Sequence, residues 1–202
     1  MKKTIVLWIF FLLMSSAGNG QTAQEHVDRG FAKYNLNDFR GAVIDYSKAI
    51  KIDPNNESAY FYRGVSKGGL QDYMGEIADY NKAIEINPNL KEAYVSRGIV
   101  KNYLKDTRGA IADCNKAIAI DLKYQFAYRL RGIVKGELND ARGAITDFTI
   151  AIVIDPKYAE VFCLRGLCKI VLGQKDSGCL DLSKAGELGY TGAYEAINKF
   201  CQ

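Results

Sequence analysis

AYFYRGVSKGGLQDYMGEIADYNKAIEINP, residues 59–88, is the stretch whose reading decides the fold. Its Arg63-Gly64 recurs as Arg29-Gly30, Arg97-Gly98, Arg131-Gly132 and Arg165-Gly166, five in-register copies at a spacing of 34 residues. Other columns keep that period. Lys33, Lys67, Lys101, Lys135 and Lys169 follow each arginine by four, and Asp45, Asp79, Asp113, Asp147 and Asp181 follow it by sixteen. Ala49, Ala83, Ala117, Ala151 and Ala185 form a small column, and His26, Tyr60, Tyr94, Tyr128 and Phe162 a ring column. A fixed period of this length marks one supersecondary unit stacked on itself.

Each unit reads as two helices. In residues 57–70, Ala59, Tyr60, Tyr62, Val65 and Leu70 fall on a helical face and do not alternate. In residues 74–86, Ile77, Tyr80, Ala83, Ile84 and Ile86 do the same. Asp38, Asp72, Asp106 and Asp140 stand where a carboxylate can cap the second helix. Asp53-Pro54, Asn87-Pro88 and Asp155-Pro156 close three units, since proline suits the start of a turn better than a helix interior. One hairpin cannot bury its apolar face alone, whereas stacked neighbours can. Gly30 and its equivalents, with Gly41, Gly75, Gly109 and Gly143, read as sites of close helix contact. Glycine inside a helix costs about 0.5–1 kcal/mol relative to alanine, so a glycine kept in every unit needs a packing reason. The expected fold is all-α, a solenoid of five helix-turn-helix units spanning 21–190. The units run over about 23–56, 57–90, 91–124, 125–158 and 159–190, with 191–202 as a capping helix and tail.

With these columns in place, residues 59–88 resemble a tetratricopeptide repeat, and the pattern extends over about residues 23–190. The resemblance implies antiparallel helix pairs in a right-handed superhelix with a concave binding face. The chain departs from the family pattern at Leu122, where the closing proline is missing, and at Glu76, in a place normally small. It departs again at Cys114 and Leu182, which replace the aromatic of the second helix. The ending GCLDLSKAGELGY, residues 178–190, resembles secreted members that carry this cysteine and a near-terminal one. That resemblance implies a Cys179–Cys201 disulfide. Cys168–Cys179 is the alternative, as is a set of five small buried thiols, and an odd count leaves one cysteine unpaired.

Residues 1–20 stand apart. Lys2-Lys3, the apolar run Thr4–Met14 and the small residues Ser15–Gly18 have the order of a secretory signal peptide. The run is shorter than the ~20 apolar residues of a spanning helix, so no stable membrane span is expected after cleavage. The expected location is therefore secreted or periplasmic. Of 27 basic residues against 23 acidic, two lie in this leader. The remainder is too balanced to imply nucleic acid or an anionic membrane as partner.

Two sets of residues stand out as candidates. The first is a structural charge ladder of Arg63, Lys67 and Asp79, Arg97, Lys101 and Asp113, and Arg131, Lys135 and Asp147, with equivalents in the end units. Arginine and lysine four apart share a helix face, and a guanidinium suits a partly buried carboxylate. In the family these two basic columns are more often Leu and Tyr. The alternative is a basic stripe for an acidic ligand. The second set follows from the family's geometry, which puts the first helix of each unit on the inner wall. The matching positions are Val27, Phe31, Tyr34, Phe61, Val65, Val95, Ile99, Tyr103, Phe126, Arg129 and Ile133. A wall so apolar reads as a groove for a peptide. The Gly68-Gly69 pair reads as leaving room in it. Val27, Phe31, Tyr62, Glu92 and Ser96 occupy the positions of the carboxylate clamp used by chaperone adaptors and lack its chemistry.

No nucleophile–base set, phosphate-binding loop, dinucleotide fingerprint or metal-ligand cluster can be assembled, and His26, the only histidine, sits in the ring column. The expected function is a non-enzymatic adaptor or scaffold that binds a protein or peptide segment in the groove, without cofactor or metal. A thiol-dependent envelope protein using the C-terminal cysteines is the alternative.

Overall fold

The structure, a computed structural model, describes residues 21–202; the signal peptide expected over residues 1–20 lies outside the described residues. Among the described residues, ten helices form five pairs. They are α1 (Ala23–Asn35) with α2 (Phe39–Ile52), α3 (Glu57–Gly69) with α4 (Tyr73–Ile86), and α5 (Lys91–Tyr103) with α6 (Thr107–Ile120). Then come α7 (Gln125–Glu137) with α8 (Ala141–Ile154) and α9 (Ala159–Val171) with α10 (Lys175–Glu187). The eleventh, α11 (Gly192–Phe200), packs on the last pair. Each helix packs on the next, and the chain is an all-α solenoid of five units plus a capping helix.

Local chemistry sets the element boundaries. Asp38, Asp72, Asp106 and Asp140 cap α2, α4, α6 and α8, each accepting the backbone N–H three residues on at 2.9–3.0 Å. Those N–H groups belong to Gly41, Gly75, Gly109 and Gly143. A Cβ there would fall 2.0–2.1 Å from the capping carboxylate oxygen. The expectation that this glycine column serves helix–helix contact is corrected. The nearest obstacle is the cap itself, and glycine lets the carboxylate fold over the first turn.

The residue before each of these caps lies in the left-handed region: Asn37, Gln71, Lys105 and Asn139 at φ 59–68°. Unit five has Gly173 at φ 78°. Asparagine and glycine tolerate this conformation, whereas a long side chain bears strain of about 1 kcal/mol or more. Lys105→Gly should therefore raise the unfolding free energy by about 0.5–1 kcal/mol, read as a higher denaturant midpoint. An unchanged or lower midpoint would refute the strain.

The turns between units are Asx turns. Asp53, Asn87, Asp121 and Asp155 each accept from the N–H two residues on. Asp121 makes this turn with Leu122 in the proline's place, so the aspartate and not the proline sets it.

The Gly30 column packs as a true contact site. A Cβ at Gly30, Gly64 or Gly132 would lie 2.6–2.9 Å from the ring of Tyr46, Tyr80 or Phe148. In unit three the ring is replaced by Cys114, and the atom nearest to a Cβ added at Gly98 becomes Leu130 Cδ2 of the next unit, at 3.1 Å. Buried Val134, Phe148, Ile152 and Val161 continue this core across units four and five.

Successive first helices touch along the inner side, α1 on α3, α5 on α7, α7 on α9 and α9 on α11. The exception is α3 and α5, which approach less closely. At the C-terminus, buried Ala193 of α11 joins Cys163, Leu182 and Ala185. The Cys179 and Cys201 sulfurs lie at bonding distance, 2.01 Å, with Cα atoms 5.7 Å apart.

Candidate interaction groove

The charged columns meet at five equivalent nodes. In unit two, Arg63 Nε and Nη2 donate to Asp79 Oδ2 and Oδ1 at 2.9 and 2.6 Å, and Lys67 Nζ lies 2.7 Å from Oδ2. Arg97 and Lys101 hold Asp113 in the same way, as Arg131 and Lys135 hold Asp147. The end units do likewise with Asp45 and Asp181. Burial alone would push the carboxyls of Asp45 and Asp181 up. The hydrogen bonds from each arginine and lysine outweigh it and hold both below the usual carboxylate range. The ring column lies against the guanidinium, 5.3–5.5 Å from centroid to Cζ in units two to five. In unit one His26 takes that place, its Nδ1 2.7 Å from Arg29 Nη2.

One feature of the node escaped sequence reasoning. The remaining arginine nitrogen, Nη1, donates backwards to the preceding unit. Arg63 reaches Ser47, Arg97 reaches Asn81, Arg131 reaches Asn115 and Arg165 reaches Thr149. These four acceptors lie two residues after the aspartates, a polar column whose changing identity hid it.

The nodes leave the inner wall free for apolar groups. Three depressions adjoin at Ile99, which is 49% exposed. One of about 300 Å³ lies at the loose α3–α5 joint, between Val65, Gly68, Tyr73, Glu76 and Tyr103. A second of about 280 Å³ includes Phe61, Glu92, Tyr124 and Phe126. A third of about 700 Å³ includes Asn102, Tyr103, Ile133 and Glu137. A separate one of about 450 Å³ lies between α1 and α3 and takes in Phe31 and Tyr62.

Of the expected groove residues, Phe31, Phe61, Val65, Ile99, Tyr103, Phe126 and Ile133 line these depressions, and four others are placed differently from expectation. Val27 and Val95 are 7% and 6% exposed and belong to the repeat core, touching the depressions only as floor. Their side chains face the second helix, which the family template did not separate from the wall. Tyr34 packs at a tilt against Phe39 at the foot of α2, with centroids 5.6 Å apart. Arg129 is no free cation. Its Nε and Nη2 donate to Glu160 Oε2 and Oε1 of the next unit at 2.8 and 2.5 Å. The room expected at Gly68-Gly69 is also filled. A Cβ at Gly68 would meet both Glu76 oxygens at 2.8 Å, and one at Gly69 would meet the Phe39 ring at 2.7 Å. Glu76 and Tyr73 are additions to the wall. Glu76 announced itself by breaking a small column; Tyr73 gave no signal.

Among the described residues no three His, Cys, Asp or Glu side chains group as a metal site, and no helix is long and apolar enough to cross a membrane.

A family profile described as TPR repeat matches residues 30–69. No curated protein sequence matches the chain. Among solved structures, a crystal structure of MamA is similar at 26% identity and TM-score 0.72, over 82% of this chain and 96% of that one. A crystal structure of YrrB, described as a TPR protein with an unusual peptide-binding site, aligns at 18% identity and TM-score 0.69, over 92% and 97%. The pilus biogenesis factor PilW aligns at 20% identity and TM-score 0.74, over 87% and 79%. The last two likenesses concern the fold alone.

Proposed function

The chain is a protein of the tetratricopeptide-repeat family, whose scaffolds are protein-interaction modules, and from that premise we propose that it is a non-enzymatic adaptor binding a peptide or protein segment in its concave groove. The observation that carries this reading is the meeting of three depressions at one half-exposed isoleucine, Ile99, on the inner wall. Tyr103 and Phe126 are exposed at the same depressions, and Phe31 is exposed at the separate one between α1 and α3. Apolar side chains left exposed along a concave wall suit a ligand that brings its own apolar side chains. An extended or helical segment fits a groove of this length.

The adaptor works outside the cytoplasm in this proposal, exported by the leader in residues 1–20. There the Cys179 and Cys201 thiols oxidise to a disulfide that fastens α11 onto α10. The thiol-dependent reading has weaker support. Burial pushes the Cys114 thiol up to about 12, and it raises Cys163 and Cys168 as well, which disfavours the reactive thiolate.

The test is the double variant Phe61→Ala with Ile99→Ala, checked for native helicity by circular dichroism. Recovery of the wild-type crosslinked partner should fall by about tenfold or more, as expected when two anchors leave the centre of an interface. Equal recovery from a folded double variant sinks the groove.

A further inference from the structure

Glu76 is a carboxylate in a place the repeat pattern keeps small, and it is 8% exposed. Its Oε1 accepts from the Tyr80 hydroxyl at 2.9 Å. Among the described residues nothing donates to Oε2, and no lysine or arginine pairs with the group; Lys67 on the facing helix is committed to Asp79 at 2.7 Å. The missing Cβ of Gly68 makes the cradle in which the carboxylate lies. The carboxylate faces the 300 Å³ depression at the loose α3–α5 joint. The rings of Tyr73 and Tyr103, with centroids 4.8 Å apart, stand at that depression beside Val65 and Ile99.

A buried carboxylate is costly to keep unless something pairs with it, and burial here raises the Glu76 carboxyl above its ordinary range. Aromatic rings beside an anion form a pocket for an alkyl cation: the carboxylate takes the charge, the rings face it, and aliphatic walls take the stem. We infer that this depression is a specificity pocket for a lysine-type primary ammonium side chain of the bound segment. The inference rests on the groove reading above and adds to it the chemistry of one anchor. Glu76 would pair with the ammonium, Tyr73 and Tyr103 would flank it, and Val65 and Ile99 would hold its methylenes.

The probe is n-butylammonium, followed through the Ile99 and Val65 methyl signals in carbon–proton correlation spectra of the full chain. Saturable shifts are expected with n-butylammonium, and shifts about tenfold smaller with n-pentanol at equal concentration, the difference of one contact to a charged group. Glu76→Gln keeps the volume and an acceptor for Tyr80, and should weaken n-butylammonium binding about tenfold. If that variant fails to fold, Tyr103→Leu serves, because Tyr103 is exposed and its loss should weaken binding severalfold. Equal shifts from n-pentanol, or unchanged binding in Glu76→Gln, overturn the pocket. A second arm separates this from the groove itself. Dodecapeptides selected from a random library should bind in a way that Ile99→Ala weakens, and should be enriched in lysine at one position. Ile99-dependent binders without that lysine overturn the pocket and leave the groove. Binders indifferent to Ile99→Ala overturn both.

Discussion

Asp147→Ala should lower the unfolding free energy by about 3–5 kcal/mol, the cost of leaving buried charges without their counter-ion. Asp147 is fully buried, and three donors converge on it: Arg131 Nε at 3.0 Å, Arg131 Nη2 at 2.6 Å and Lys135 Nζ at 2.8 Å. Alanine removes the acceptor and leaves two half-buried cations facing one another across a void. The denaturant midpoint measures the loss. The triple replacement Asp147→Leu, Arg131→Met, Lys135→Met should recover most of it, because no unpaired charge then remains. A loss under about 1 kcal/mol for the single change would mean that water screens the node as it does an exposed ion pair. The end nodes add a pH dependence with a definite sign. Asp45 and Asp181 have folded values below their unfolded value near about 4. Their stabilisation is complete above that unfolded value, and it is lost as pH falls through it towards the folded values. Urea midpoints should hold steady from pH 7 to 5 and drop below about pH 4. A flat profile down to pH 2.5 contradicts the nodes.

Phe148→Ala should also cost about 3–5 kcal/mol. The ring is 1% exposed and lies against Gly132, where an added Cβ would come within 2.6 Å of it. The tight fit shows the volume that alanine would leave empty, and the flanking helices cannot close it without drawing in the neighbouring units. The same column holds a built-in comparison. Cys114 occupies this place in unit three, and Leu130 has moved over Gly98 to fill the space. Cys114→Ala should therefore cost no more than about 1 kcal/mol, since it deletes one sulfur from a site already repacked. Similar losses at the two positions would contradict this, because the ring buries far more apolar area than the thiol.

The residues that could be read from the sequence are those whose partner lies at a fixed distance along the chain. Asp72 and Gly75 are three apart, Arg63 and Lys67 four, and Arg63 and Asp79 sixteen; repetition five times over turns each offset into an address. What escaped lies between units or depends on which side chain arrives first. Arg129 with Glu160, 31 residues on, and Lys91 with Asp121, 30 residues on, occur once each and belong to no column. Gly41 could be seen to matter, but whether its missing Cβ spares a helix or a carboxylate depends on the Asp38 rotamer. Val27 and Val95 stand at wall positions of the family template, which separates wall from core by position, whereas the rotation of the helix about its axis decides it. The space at Gly68 could be foreseen. Its occupant, eight residues further on and across the helix pair, could not.

The backward reach of each arginine makes the molecule directional as an elastic element. Every joint between units is laced by a hydrogen bond from the arginine of one unit to a polar residue of the unit before it. The lacing is short in the middle, 2.6 Å at Asn81 and at Asn115, and longer at the two ends, 3.1 Å at Ser47 and 3.2 Å at Thr149. The outer acceptors are hydroxyls on short stems and the inner ones are amides, so the difference is chemical. Pulled from its termini, such an array loads each joint through one arginine, and the joint between units two and three, where α3 and α5 approach least closely, has the least other packing to share that load. That joint carries the depression between Tyr73, Glu76 and Tyr103, so tension would reach that part of the groove first.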